Sequence, residues 1–284
     1  MEELAPYAMR LAPPWLRTHV VKYSGYRMRA APLHRRVSVP AATVTLFFGW
    51  DAPLRLFTIN NGTAEERDSL IAGLRKNAII SEISGTGQGV RVELTPLGAY
   101  SLLGLPLREL AGAMISPAEA LGQRWGAELI EQLAEVSSWT RRWAVLDQVI
   151  SARLACSQAT PSPVVQEAWS NLVASHGTVT ISDLAVITGR SRRRLETLFG
   201  EQIGLPPKTL ARILRYQYAL RMAPPVNRTW AETAAMCGYH DQAHLAREVR
   251  TLTGLTTTQF HAFAARTEKY ESQSPGERVT SVIQ

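Results

Sequence analysis

One arrangement recurs in the C-terminal third of the chain and limits its fold more than any other feature. "TVTISDLAVITGRSRRRLETLF" reads as a short apolar helix, a turn containing Gly189, and a second, polar helix that begins after Ser191. "TWAETAAMCGYHDQAHLAREV" repeats the order about 49 residues later, with Ala234 and Gly238 where the first copy has Ala185 and Gly189. A short apolar helix, a glycine at its end and a polar second helix make up the helix-turn-helix pattern. One copy is a weak signal. Two copies joined by a further helix, "KTLARILRYQYALRMA" over residues 208–223, are far more specific.

The second helix of the first copy opens on three arginines, Arg192, Arg193 and Arg194. Positive charge at a helix N-terminus opposes the macrodipole by roughly 0.3–1 kcal/mol per exposed charge. A compensating negative partner is therefore expected. With Leu195, Leu198 and Phe199 on the buried stripe, Arg193 falls opposite and Thr197 beside it, while Arg192 and Arg194 lie on the flanks. In the second copy Leu245, Val249 and Leu252 form the apolar stripe. Opposite stand Ala243, Arg247 and Arg250, with Gln242 at the N-terminal flank. These are residue types that read base edges or grip phosphates: Arg on guanine, Gln on adenine, Ala against a thymine methyl. Arg194 reads as a phosphate contact or plain surface, His240 and His244 as caps or solvated groups, and Cys237 as core.

Charge supports a nucleic-acid partner. The 284 residues carry a net +7. Residues 178–266 hold 12 Lys and Arg against 6 Asp and Glu, leaving 19 against 18 elsewhere, so the excess belongs to the helical third.

Residues 164–264 resemble the DNA-binding domain of the AraC/XylS family of bacterial transcription regulators, most clearly through "EQIGLPPKTLARILR" and "CGYHDQAHLAREVR". The resemblance implies two helix-turn-helix units on a linker helix, with recognition helices in successive major grooves roughly 34 Å apart. By correspondence, Arg192, Arg193 and Thr197 would face bases in the first unit, and Gln242, Ala243, Ala246 and Arg247 in the second. Ser191 and Arg250 complete the DNA-binding set. Double-stranded DNA, RNA polymerase and a second copy of the chain are the partners it implies. Three positions depart from the family: Val249 stands for Phe, Thr257 for Pro and Thr233 for an aliphatic residue, which implies a softer core in the second unit.

The first hundred residues read as strands at 44–50, 54–59, 78–83 and 89–95, with "SGTGQG" between the last two as a hairpin loop, giving a small barrel or sandwich. "VRVEL" alternates apolar and polar residues. After Pro96 the period becomes helical, over 97–104, 125–137 and 139–155. The last two form a helical hairpin that either serves dimerisation or simply covers the sheet or packs helix on helix, with Trp139 and Trp143, and Trp169 beyond, as core. "GVRVELTPLGAYSLLGLPLREL" is similar, more loosely, to the cupin-like sensor domains of actinobacterial members, which implies a small effector, dimerisation, or both. The expected class is α+β, with a β-rich domain over 1–156, a linker over 157–163, the double helix-turn-helix over 164–267 and an unstructured tail over 268–284.

Other classes are disfavoured. Cys156 and Cys237 are too far apart in sequence and context for a disulfide framework. The N-terminus lacks signal-peptide character and no apolar run approaches the ~20 residues of a membrane span, so a cytoplasmic protein is expected. Before residue 176 the only histidines are His19 and His34, and neither heads a metal-ligand motif. No Gly-rich phosphate loop, HExxH or GxSxG occurs, so neither cofactor, metal nor catalysis is expected. The rival reading is a non-specific architectural DNA-binding protein without a sensing function.

Overall fold

The computed structural model describes residues 6–58, 64–222, 229–259 and 281–283, with backbone alone for 30–36, 58 and 281–283. Its N-terminal part is a nine-stranded antiparallel sheet built on two long strands, β2 (Val20–Ser38) and β7 (Ile79–Leu94). They pair along their length, from Val20 opposite Leu94 to Ser38 opposite Ile79. β1 (Tyr7–Leu11) lies outside β2, and β3 (Val44–Trp50), β6 (Ser69–Ala72) and β8 (Met114–Ile115) continue the sheet beyond β7. β4 (Leu54–Thr58) also pairs with β7 and carries β5 (Ala64–Arg67).

The hairpin expected at "SGTGQG" is not formed; both flanking strands belong to β7. Gly85 adopts φ +78° where the register against β2 slips, between Met28 and Ala31 and again between Ala31 and His34. The glycine thus serves a bulge, which bends a strand, and not a turn, which reverses it. Past the bend β7 changes partner: residues 79–82 pair with β4, residues 88–94 with β3. The strand expected over 54–59 ends at Thr58, and Ile59 lies outside the described residues.

Alternation along β7 then separates two apolar layers. Val90, Val92 and Leu94 join Val20, Leu46 and Phe48 in the main core, beneath α1 (Pro96–Leu103), α3 (Gln123–Glu135) and α4 (Trp139–Ala155). α2 (Pro117–Leu121) leads into α3. Trp143 stacks on Tyr23 with ring centroids 5.9 Å apart and on Trp139 at 5.4 Å. The tryptophan face of α4 therefore covers the sheet, as one of the two readings of the helical hairpin expects. Asp147 of the same helix accepts both a 2.6 Å bond from Arg10 and the Tyr23 hydroxyl at 2.8 Å, tying β1 and β2 to α4. On the opposite layer Phe47, Leu54, Leu56, Leu70 and Ala72 cluster together.

The C-terminal part is helical: α5 (Pro163–Ala174), α6 (Ile181–Ile187), α7 (Arg192–Gln202), α8 (Pro207–Arg221), α9 (Trp230–Met236) and α10 (Gln242–Thr253). The segment before α5 is pinned at both ends. Ser157 Oγ donates to the Ser101 carbonyl, and Ser162 N–H to Gln202 Oε1 at 2.8 Å. A short 3-10 turn over Leu107–Leu110 packs on the end of α7, where Gly204 has φ +98° and a Cβ would lie 2.8 Å from the Leu107 carbonyl oxygen. Two hydrogen bonds reach further: Ala42 N–H to Gln217 Oε1 and Ala78 N–H to the Leu252 carbonyl, each 3.2 Å. In the tail expected to be unstructured, Ser281–Ile283 form β9 against residues 36–38 of β2; residues 268–280 and 284 lie outside the described residues.

The sheet and the helix layer meet tightly at Gly25, where an added Cβ would overlap the ring carbons of Trp139. Gly25→Ala must displace α4 or tilt the indole, an overpacking cost of about 1–3 kcal/mol. Urea unfolding followed by tryptophan fluorescence should show a lower midpoint at an unchanged slope.

Candidate nucleic-acid interface

Each helix of the two repeats begins and ends on local hydrogen bonds that its own sequence supplies. Thr180 Oγ1 accepts from Asp183 N–H at the start of α6. Thr229 and Glu232 form a reciprocal capping box at the start of α9. α6 ends with Arg190 N–H on the Ala185 carbonyl and Gly189 N–H on Val186; α9 ends with Tyr239 N–H on Ala234 and Gly238 N–H on Ala235. This is the same 6→1 and 5→2 closure twice, and it needs a left-handed residue, which Gly189 at φ +61° and Gly238 at φ +72° provide. Ser191 Oγ then accepts from Arg194 N–H to start α7, and Asp241 Oδ1 from His244 N–H at 2.6 Å to start α10.

These caps set the correspondence between the copies. Thr180 and Thr229, like Gly189 and Gly238, are 49 positions apart, whereas Ser191 and Asp241 are 50 apart. The second turn is one residue longer. Arg192 therefore matches Gln242, Arg193 matches Ala243 and Thr197 matches Arg247. Glu196, which the sequence reading passed over, matches Ala246.

Leu195, Leu198 and Phe199 of α7 are buried, as are Leu245, Val249 and Leu252 of α10. Ser191, Arg192, Arg193, Arg194 and Thr197 are exposed, with Gln242, Ala243, Arg247 and Arg250; Ala246 is half-buried. Each selected set thus lies on one helix away from the core. Arg192 donates through Nη2 to Ser182 Oγ, which holds its guanidinium toward α6. Among the described residues neither Arg193 nor Arg194 has a side-chain partner. Thr197 and Thr251 donate to the carbonyls of Arg193 and Arg247, at 3.1 and 2.7 Å.

Two arginines of the basic third are engaged internally. Arg212 of α8 makes a bidentate pair with Glu248 of α10, at 2.7 and 3.0 Å, and that pairing raises the Arg212 pKa. Arg215 donates to the carbonyls of Gly177 at 2.9 Å and Gly238 at 3.5 Å, with its guanidinium over the Tyr239 ring. Composition gave no sign of these roles; the spacing of Arg212 and Arg215 on the inner side of α8 was the available signal.

The remaining singled-out residues have local tasks. Cys237 is fully buried in the core. His240 Nδ1 and Asp241 Oδ2 lie 3.1 Å apart, and His240 N–H donates to His244 Nδ1 at 3.4 Å. Thr233 is fully buried where an aliphatic residue is usual, but its hydroxyl donates to the Thr229 carbonyl at 3.2 Å. Trp169 packs partly buried against the core.

A family profile describing a helix-turn-helix domain matches residues 184–262. The C-terminal part of this chain carries a helix-turn-helix domain. No curated protein matches the chain. Among solved structures, unsaturated fatty acid bound ToxT from Vibrio cholerae is similar at 11% identity, covering 86% of this chain and 95% of that one, with a TM-score of 0.49. An AraC-type transcriptional regulator from Chromobacterium violaceum is similar at 25% identity over 40% of this chain and 96% of that one, with a TM-score of 0.33. The DNA-binding domain of AdpA in complex with a target DNA is 21% identical, over 41% and 99%, also at 0.33. Among the described residues no helix is long and apolar enough to cross a membrane, and no three His, Cys, Asp or Glu side chains stand together as a metal site.

The Asp241 cap carries a pH signature. The His244 N–H, then the His240 ring, hold its carboxyl below the ordinary 3.8. A depressed folded-state pKa means the cap's contribution is complete above the unfolded value and fades as pH falls through the lower folded one. An NMR titration should place the Asp241 midpoint below 3.8, with the His244 amide shift moving in step. Asp241→Asn should retain the cap and abolish that shift.

Proposed function

We propose that this protein is a sequence-specific transcription regulator. A sensor and dimerisation domain over residues 1–156 is joined through 157–163 to a double helix-turn-helix over 164–267. The observation that carries the reading is the pair of separately capped recognition helices, α7 and α10, on one linker helix, each with its cationic or amide-bearing face away from the core. Arg193 and Thr197 take the central base-reading positions of the first unit, flanked by Arg192. Gln242, Ala243, Ala246 and Arg247 take those of the second. Ser191, at the N-terminus of α7, and Arg250 sit where phosphates pass.

The negative partner that three arginines at a helix N-terminus call for is the DNA backbone and the guanine edge. Residues gripping phosphate add affinity to every sequence and steepen the salt dependence; those reaching base edges discriminate. The protein acts as a homodimer at promoters in the cytoplasm. It contacts RNA polymerase there, and a small effector bound in the N-terminal half changes promoter occupancy.

Selection of bound sequences from a random duplex pool tests this. Two blocks about one helical turn apart are expected. Arg193→Ala should lose a guanine preference in one block, at about 1–3 kcal/mol. Arg194→Ala should instead weaken all sequences alike and lower the salt slope by about one. Binding without a recovered motif would mean an architectural DNA-binding protein.

A further inference from the structure

The correspondence set by the caps pairs Arg193 with Ala243, Thr197 with Arg247 and Gly200 with Arg250. Each trio stands at i, i+4 and i+7, along the outward stripe of its helix. At every step one helix has an arginine where the other has a small residue. The α7 stripe is tall at its N-terminal end and flat towards its C-terminal end; the α10 stripe is the reverse. Thr197 adds to the flatness of α7, because its hydroxyl is turned back onto the Arg193 carbonyl at 3.1 Å. On α10, Ala243, Arg247 and Arg250 are all exposed.

Gly200 is the member of this pattern that the fold itself does not explain. Glycine inside a helix shifts the folding equilibrium about five-fold against the native state, relative to alanine. Among the described residues three glycines lie within α-helices: Gly98 in α1, Gly126 in α3 and Gly200 in α7. A Cβ on Gly98 would overlap the His19 backbone, and one on Gly126 would lie 3.3 Å from Pro117 Cβ, so a neighbour keeps both small. A Cβ on Gly200 would meet nothing within 4 Å. Gly200 is not left-handed, and the left-handed glycine past the end of α7 is Gly204. Neither packing nor a turn nor a cap requires glycine at this position. What a missing side chain still allows is close approach of another molecule to the helix backbone.

We propose that duplex DNA packs directly against the backbone of α7 at Thr197 and Gly200, while the corresponding part of α10 stands off and reaches the duplex through Arg247 and Arg250. The two helices thus enter their grooves with opposite tilts. α7 lies close by its C-terminal half with Arg193 extended ahead of it, and α10 lies close at Ala243 with its arginines extended behind. The inference rests on the regulator reading and deepens it, since that reading gives Gly200 no part.

The test uses the full chain on the duplex recovered by selection. Gly200→Ala should raise the thermal midpoint and yet weaken binding about ten-fold by overpacking the contact. A glycine with a purely structural role would not move stability and affinity in opposite directions. Gly200→Arg, which copies Arg250 into α7, should weaken binding about a hundred-fold in spite of its added charge. Hydroxyl-radical cleavage should show fuller protection of the deoxyriboses along the block read by α7 than along the other, and Gly200→Ala should reduce it there. An idle glycine gives the opposite results. Gly200→Ala would then bind as the parent does, and Gly200→Arg would bind every sequence more tightly, with a salt slope steeper by about one. Either of these, or equal protection of the two blocks, overturns the proposal. A chain that selects no motif loses the regulator reading, and Gly200→Ala and Gly200→Arg on a random duplex then decide the close approach by the same signs. No binding to any duplex overturns both.

Discussion

α10, the last helix of the second repeat, depends on two arginines of α8 for its placement. Arg212 grips the Glu248 carboxylate of α10 with both arms of its fork, and Arg215 spans the carbonyls of Gly177 and Gly238. A planar guanidinium holds two acceptors at fixed geometry, which a lysine ammonium does not. The turn of the second repeat is thereby fastened to the linker helix and to the end of α5. With Glu248 almost fully buried, the pair is charge-assisted and weakly screened on the carboxylate side. Both arginines count toward the positive excess of this third, yet neither is free to meet a phosphate. Exposed arginines of the two repeats stand instead at Arg192, Arg193 and Arg194 of α7 and at Arg247 and Arg250 of α10.

How much of this was legible in the sequence depended on how far the deciding residues lie from one another. The repeats were readable because their signals are local: Thr180, Ser191, Thr229 and Asp241 cap groups three residues away, and Gly189 and Gly238 close the helices before them. The extra residue in the second turn was not, since it appears only when caps, not glycines, are aligned. β7 failed for the opposite reason. A glycine-rich stretch signals both hairpin and bulge, and the choice is made by β2, some fifty residues earlier in the chain. β2 itself escaped notice because its 19 residues mix basic and apolar side chains and include Pro32, which lies within the register slip between Ala31 and His34. Proline is tolerated in a sheet at such a bulge, where no ladder donor is needed.

The alternation of "VRVEL" shows a further limit. Period two gives a strand with one apolar face and leaves open what the other face meets. Here Val90, Val92 and Leu94 enter the main core, while Arg91 and Glu93 point into a recess lined by Phe47 and Leu70 and not into bulk water. Glu93 is 8% exposed and Lys22 7%, so their ion pair is an interior one. Polar residues that would cost nothing on a wet face must there be matched with partners, and the unmatched ones give the recess its chemical character.

The two helix-turn-helix units are held unequally by the N-terminal half. The first is docked through packed surface: the Leu107–Leu110 turn against Gly204, and α1 against α7. The second is held mainly through α8, and α10 itself receives one backbone bond, from Ala78 to Leu252. A single hydrogen bond contributes about 0.5–1.5 kcal/mol net. A shift of residues 73–78 that makes or breaks it would therefore change the population of one placement of α10 by a factor of roughly 2–10. The bond sits just after Arg75, on the loop between β6 and β7. The asymmetry leaves the second unit tied to the N-terminal half more lightly than the first.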